Sequence, residues 1–244
     1  MRIETRGLTK LARIGVFLAW VSSVPALPAQ EKAVTLHIRL SEKAQSDASN
    51  VVAWLKPLDA TDVPSSSTKP PEKRNQVVQK NKSFQPHLTV VRVGSVVDFP
   101  NRDPFFHNVF SLFDGKRFDL GLYEAGATNS VRFDHVGISY LFCNIHPEMS
   151  AVVVAVDTPY YGISDKAGTV SIANVPDGRY ELHFWYERSL PEALKGLTRQ
   201  VRISSDARDL GAITVPQDPS FTPTHKNKYG QDYTPPPKQG YPQP

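Results

Sequence analysis

The sequence predicts an all-β protein, and three observations support this fold class. Short segments in which apolar and polar residues alternate with period two recur along the chain, most clearly at 34–40 and 179–186. Glycine, proline, asparagine and aspartate separate these segments at short intervals. No helical periodicity runs long enough to compete with the strand pattern. Many short strands at regular spacing favour β-sandwiches or barrels.

Residues 1–29 are predicted to be a secretory signal. An apolar stretch at 14–21 follows four basic residues, Arg2, Arg6, Lys10 and Arg13, and small residues at Ala26 and Ala29 offer cleavage positions. The apolar stretch is short for a bilayer-spanning helix, which needs about 20 residues. We therefore expect cleavage and export to the periplasm, to the cell surface or out of the cell, with no membrane insertion afterwards.

The charge balance gives no indication of a nucleic-acid partner. The whole chain has 28 basic and 24 acidic residues, but residues 1–29 hold four of the basic and one of the acidic residues. The remaining 24 basic and 23 acidic residues nearly cancel. A general basic surface for nucleic acid or anionic membrane is therefore not expected.

The strands are expected in two blocks after an N-terminal pair. Residues 30–58 contain the pair, at 34–40 and 51–55, and residues 59–76, rich in proline, serine, threonine and lysine, are predicted to be a linker. Residues 77–157 contain strand candidates at 77–79, 88–93, 95–99, 108–111, 130–133, 137–143 and 151–156, with a polar, glycine-containing loop expected between 111 and 130. Residues 158–215 contain candidates at 160–164, 170–172, 179–186, 201–203 and 211–215, with a short helical turn at 191–194.

The last 29 residues, 216–244, are predicted to be a disordered tail. They include eight prolines, with glutamine, lysine, tyrosine and threonine between them. A segment of this composition cannot bury a hydrophobic core of its own.

Cys143 is the only cysteine of the chain. In an exported protein it is an intermolecular disulfide partner, an inert buried residue, or a reactive or metal-bound thiol. An unprotected thiol would oxidise in that compartment, so metal ligation is a natural way to preserve it.

The neighbours of Cys143 supply the other ligands of a metal site. His146 follows it by three residues and Met149 by six, and His107 lies upstream after an extended apolar stretch. One thiolate, two imidazoles and a thioether form the ligand set of a blue-copper site, with a trigonal plane and a weak axial methionine. The pattern therefore predicts one copper ion held for electron transfer.

Two other interpretations stay open from the residues alone. Lone cysteines and methionines are usually packing residues, although this combination between strongly apolar strands favours a metal. Zinc is the competing metal, but structural zinc sites use four firm nitrogen, sulfur or oxygen ligands, and a thioether suits copper better. A binuclear copper site would need two bridging cysteines and is excluded, because the chain has one cysteine.

Four segments, 84–86, 93–103, 107–111 and 143–149, resemble the cupredoxin family, and plastocyanin and amicyanin in particular. The resemblance covers about 77–156 and implies a Greek-key β-sandwich. It implies that His107, Cys143 and His146 are equatorial ligands and Met149 the axial one. Asn108 would tie the two ligand segments together by hydrogen bonds, and His146 would present the edge through which the electron passes.

A second resemblance concerns 165–172 and 175–182, which are similar to the carboxypeptidase regulatory-like family. It implies a small immunoglobulin- or transthyretin-like β-sandwich with a scaffolding or binding role and no catalysis. That family normally begins with two strands like those expected at 34–40 and 51–55, which in this chain precede the copper-binding block. We therefore expect that the copper domain is inserted into this sandwich, so that 34–58 and 160–215 fold together.

The expected function is single-electron transfer between protein partners by an exported type 1 copper protein that is not an enzyme. A substrate-oxidising copper enzyme would need further histidine clusters, and none is expected at His37, His87, His135, His183 or His225. Two alternatives remain: a periplasmic copper carrier or storage protein, and a wall- or glycan-binding module with a vestigial metal site.

Overall fold

The computed structural model describes residues 33–41, 47–59, 74–112, 115–222 and 224–233. The predicted signal and most of the predicted linker lie outside these residues. The all-β prediction is confirmed, since the described residues form strands and one short helix, α1 (Pro191–Lys195). The strands are β1 (Val34–Leu40), β2 (Val52–Pro57), β3 (Asn75–Gln76), β4 (Val78–Gln79), β5 (Phe84–Gln85), β6 (Leu88–Arg92), β7 (Val96–Pro100), β8 (His107–Ser111), β9 (Phe118–Tyr123), β10 (Thr128–Arg132), β11 (Gly137–Phe142), β12 (Ser150–Val156), β13 (Tyr161–Ile163), β14 (Thr169–Ile172), β15 (Gly178–Trp185), β16 (Arg199–Ile203) and β17 (Asp209–Val215).

Four main sheets pack as successive layers. Their strand orders are β14-β1-β17, β13-β2-β15-β16, β6-β12-β11-β8-β9 and β10-β7-β3, and β4 and β5 form a separate pair. One buried cluster lies between the first two sheets, a second lies between the last two, and a third joins the two middle sheets. Each middle sheet is therefore covered on both faces.

Strand β12 shows how the sequence produces this layering. Ala151, Val153 and Ala155 point into the cluster shared with the β10-β7-β3 sheet. The alternate residues, which point into the cluster between the two middle sheets, are Val152, Val154 and Val156. Because side chains alternate across a strand, a strand buried on both faces must be apolar at every position. All residues from 151 to 156 are apolar and buried, as this requires.

The N-terminal strands pair with strands from the C-terminal part of the chain. Strand β1 is antiparallel to β14 and parallel to β17. Strand β2 is antiparallel to β13 and β15. The segment that contains β3 to β12 lies between these partners in sequence, and its strands pair only among themselves within the described residues.

Strand β9 differs from the sequence-based expectation, which placed a loop between 111 and 130. It forms the edge of the five-stranded sheet and pairs with β8. Its alternation was obscured because Gly121 interrupts it with a positive φ of 67°. The predicted helical turn at 191–194 is confirmed by α1, and no helix among the described residues is long and apolar enough to cross a membrane.

Candidate metal centre

The segment 143–149, called here the ligand loop, connects the antiparallel strands β11 and β12. Its backbone is closed by two hydrogen bonds. The N–H of Cys143 donates to the carbonyl of Met149 at 3.3 Å, and the N–H of Met149 donates to the carbonyl of His146 at 3.1 Å. These bonds hold Cys143, His146 and Met149 at one end of the strand pair.

His107 is brought to the ligand loop by the sheet, since it begins β8 and β8 pairs with β11. Its Nδ1 lies 3.1 Å from Nδ1 of His146 and 3.9 Å from Sγ of Cys143. Sγ of Cys143 lies 3.6 Å from Nδ1 of His146. Among the histidine, cysteine and acidic side chains of the described residues, these three form the group whose possible ligand atoms lie close enough together to hold one metal ion.

The three separations fit a single bound ion. Metal–nitrogen and metal–sulfur bonds of about 2.0 to 2.3 Å in a trigonal plane put neighbouring ligand atoms roughly 3.5 to 3.8 Å apart. The observed edges of 3.1, 3.6 and 3.9 Å lie around that range. One sulfur and two imidazole nitrogens can therefore hold one metal ion without rearrangement of the backbone.

The site is buried on all sides except at His146. Cys143, Met149 and His107 are fully buried, whereas His146 is partly exposed. Burial and the proximity of His107 lower the pKa of His146. Its neutral imidazole, the form that binds metal, is therefore favoured at neutral pH.

Met149, the predicted fourth ligand, belongs to the same buried cluster as Cys143. It is the last residue of the ligand loop, immediately before β12. The two closing backbone bonds of the loop fix its position relative to Cys143 and His146. Met149 therefore shares the core of Cys143, while its role as a fourth ligand stays a prediction.

Asp103, which no motif in the sequence singles out as a candidate site residue, contacts one of the candidate ligands directly. Its Oδ2 accepts a hydrogen bond from Nε2 of His107 at 2.7 Å, which leaves Nδ1 of that ring free to face Cys143. The backbone N–H groups of Asn81 and Lys82 donate to the two carboxylate oxygens at 2.6 and 2.9 Å. Burial opposes ionisation of Asp103, but these hydrogen bonds outweigh it, and the pKa is lowered. Asp103 is therefore a carboxylate that fixes the tautomer and orientation of His107.

The loop that carries Asp103 is itself held by Asn101. The side-chain Nδ2 of Asn101 donates to the carbonyls of Phe105 and Tyr123 at 2.8 and 3.2 Å, and its Oδ1 accepts the N–H of Asp103 at 3.0 Å. The available sequence signal was Asn101, because asparagine in a turn often accepts a hydrogen bond from the backbone N–H two residues on, here that of Asp103.

Asn108 differs from its expected role. It is buried next to His107, but its Nδ2 donates to Oδ1 of Asp119 at 2.8 Å and to the carbonyl of Gly121 at 2.9 Å, both on β9. No side-chain hydrogen bond joins it to the ligand loop among the described residues. Asn108 therefore fastens β8 to the edge strand, which the sequence reasoning had taken for a loop.

The C-terminal part of the chain also differs from the prediction of a disordered tail. Oη of Tyr233 donates to the carbonyl of Cys143 at 2.6 Å, and the N–H of Lys228 donates to Oδ1 of Asn144 at 3.0 Å. Burial, with the charges of Cys143 and Glu148, raises the pKa of Tyr233 to about 12, so its phenol is a donor at neutral pH. The segment buries no core of its own, but it contacts a surface that the strands have already formed.

We expect Asp103→Asn to weaken metal binding about 10- to 100-fold, because mutation of the hydrogen-bond partner of a ligating histidine generally has an effect of this size. Every oxygen of Asp103 accepts an N–H, so an amide NH₂ at either position faces another donor. Copper affinity, measured by competition with a chelator, checks this. Asp134→Asn, at a half-exposed carboxylate paired with Lys116, is the control. Equal affinity for the two variants would contradict the role given to Asp103.

Comparison with protein-family models and with curated proteins finds no match. Solved structures match parts of the chain. A purple cupredoxin from Nitrosopumilus maritimus is 21% identical over 34% of this chain and 99% of its own, with a TM-score of 0.31. A copper-containing nitrite reductase from Thermus scotoductus is 23% identical, with a TM-score of 0.34. The match covers 41% of this chain and 27% of the reductase. A Cu(I) amicyanin mutant is 20% identical over 43% of this chain and 98% of its own, with a TM-score of 0.32. Because these TM-scores are low, the function proposed next depends on the site geometry.

Proposed function

We propose that this chain is an exported type 1 copper protein that carries single electrons between protein partners. The observation that carries the proposal is the convergence of one cysteine sulfur and two histidine nitrogens within 3.1 to 3.9 Å of one another. His107, Cys143 and His146 would be the equatorial ligands and Met149 the axial one. Copper at this site supplies one-electron chemistry by alternating between Cu(II) and Cu(I).

The protein residues contribute a preformed and largely buried ligand set. The sheet and the ligand loop fix Cys143 and His107 in a fully buried position, and Asp103 fixes the tautomer of His107. A geometry that suits both oxidation states needs little rearrangement for each electron. This rigidity supports electron transfer more than carriage or storage of copper, because a carrier must open its site to release the metal.

An exposed apolar patch around His146 supports a protein partner. Phe105 and Ile145 are 36% and 43% exposed, the Phe105 ring centroid lies 5.7 Å from that of His146, and Ile145 precedes His146 in the chain. His146 is the one partly exposed side chain among the four predicted ligands. A small apolar patch at the exposed ligand fits brief docking to a redox partner, in which the electron passes through the imidazole edge.

The proposal includes a domain organisation. In it, residues 77–157 are a Greek-key cupredoxin domain inserted into a small sandwich of the carboxypeptidase regulatory-like kind, formed by 30–58 and 158–215. The pairing of β2 with β13 and β15, and of β1 with β14 and β17, supports this division. Residues 1–29 would direct export, and copper would protect the thiolate of Cys143 from oxidation in that compartment.

The visible absorption spectrum of the purified protein tests the proposed function. After addition of Cu(II), we expect an intense blue thiolate-to-copper band that a mild reductant bleaches and an oxidant restores. Protein loaded with Zn(II) is the control and should stay colourless, because zinc has no accessible redox state. A colourless protein with Cu(II), or a band that does not bleach reversibly, would contradict electron transfer at this site.

A further inference from the structure

Residues 224–233, called here the strap, lie against the ligand loop. We propose that the strap holds this loop in place and slows the exchange of the bound metal, a role that rests on the proposed copper site. Tyr233 is its main positioning residue. The strap contacts both of the segments that carry the proposed metal ligands.

The strap bonds directly to the ligand loop at two consecutive residues. Oη of Tyr233 donates to the carbonyl oxygen of Cys143 at 2.6 Å. The backbone N–H of Lys228 donates to Oδ1 of Asn144 at 3.0 Å. These bonds restrain the loop from outside at Cys143, the residue that supplies the thiolate.

The strap also bonds to the strands that position His107. Nζ of Lys228 lies 2.7 Å from Oδ2 of Asp119 on β9. Oδ1 of the same carboxylate accepts a hydrogen bond of 2.8 Å from Nδ2 of Asn108, the residue after His107. One segment therefore connects the ligand loop to the β8–β9 edge, so a movement of either ligand segment away from the other strains the strap.

An aromatic stack and a tight turn give the strap a defined shape. The ring of His225 stacks on Phe142, the residue before Cys143, with centroids 4.1 Å apart and planes at 22°. Tyr233 meets His225 edge-on at 5.3 Å. Asn227 closes the turn, since its Oδ1 accepts the N–H groups of Tyr229 and Gln231 at 2.9 and 3.0 Å. A segment with this many internal contacts can act as a restraint instead of a freely moving tail.

Metal release requires the ligand loop to move, because three of the four ligand residues are fully buried. The loop has two internal backbone bonds of 3.3 and 3.1 Å, and the shorter 2.6 Å bond from Tyr233 reinforces it from outside. Loss of that bond should raise the fraction of time in which the loop is open. Mutation of the outer hydrogen-bond partners of metal ligands typically weakens metal binding about 10- to 100-fold.

The test compares Tyr233→Phe with Tyr229→Phe and with a chain that ends after Thr222. Tyr233→Phe removes the hydroxyl that bonds to the carbonyl of Cys143 and lies 3.3 Å from Nδ1 of His225, whereas Tyr229 is a 71% exposed tyrosine of the same strap. The first measurement is the rate at which a chelator removes Cu(I) from the loaded protein. We expect about a 10-fold faster loss for Tyr233→Phe and for the shortened chain, and an unchanged rate for Tyr229→Phe.

The second measurement is amide hydrogen exchange of residues 144–149 in the metal-free protein. We expect faster exchange in Tyr233→Phe and in the shortened chain than in the wild type. This readout does not depend on copper, so it tests the strap even if the blue band is absent and the proposed function fails. Unchanged exchange would show that the strap does not hold the loop. Faster exchange with an unchanged rate of Cu(I) loss would overturn its role in metal retention.

Discussion

Cys143→Ser is expected to abolish the intense visible band of the copper-loaded protein and to lower copper affinity by orders of magnitude. The band arises from charge transfer between the thiolate and Cu(II), and a serine hydroxyl stays protonated and provides no such donor. Cys143 is fully buried and lies 3.6 and 3.9 Å from the two imidazole nitrogens, so no other side chain can replace it without backbone movement. The absorption spectrum and a copper titration of the purified variant check this result.

The control for this experiment is His37→Gln, at an exposed histidine of β1 in the β14-β1-β17 sheet. It should keep both the band and the affinity of the wild type. Thermal unfolding of the metal-free Cys143→Ser protein distinguishes loss of a ligand from loss of the fold. A blue band that survives in Cys143→Ser would exclude Cys143 as a copper ligand and with it the proposed site.

Gly168→Ala is expected to reduce the free energy of unfolding by roughly 3 to 5 kcal/mol, near the upper end for single substitutions. Gly168 has a φ of +81°, and a Cβ at this position would overlap the carbonyl oxygen of Ile38. The N–H of Ile38 donates to the carbonyl of Gly168 at 2.7 Å, so the turn holds β1 against its neighbours at close range. Relief of the overlap requires β1 to shift, which disturbs the core between the first two sheets. Urea-induced unfolding measures the effect.

Gly126→Ala separates the two causes of this effect. Gly126 has nearly the same φ, +80°, but an added Cβ meets no atom within 4 Å. The left-handed backbone alone costs an alanine about 1 to 2 kcal/mol. If both variants lose the same stability, the close approach to Ile38 is not the cause, and the packing argument for β1 fails.

Most of the strand positions could be predicted from the sequence because period-two alternation is a local signal. Strand β1 (Val34–Leu40) has the bounds that its alternation indicated, and β12 was visible as a continuous apolar run. Strand β9 was missed because Gly121 breaks its pattern and because an edge strand leaves much of its side-chain surface exposed. For such a strand, pairing with β8 decides the structure more than composition does.

The sequence by itself indicated three of the four candidate donors, because Cys143, His146 and Met149 are confined to one seven-residue loop whose spacing can be read directly, whereas the sheet brings His107 to that loop. Only the tertiary structure decided what surrounds that loop. The hydrogen bond from His107 to Asp103 depends on a turn that Asn101 shapes, and the bond from Tyr233 to Cys143 joins residues that are 90 positions apart. The spacing of the three loop residues is local, whereas the approach of His107 and the support of all the candidate ligands depend on which distant segments the packed sheets bring together.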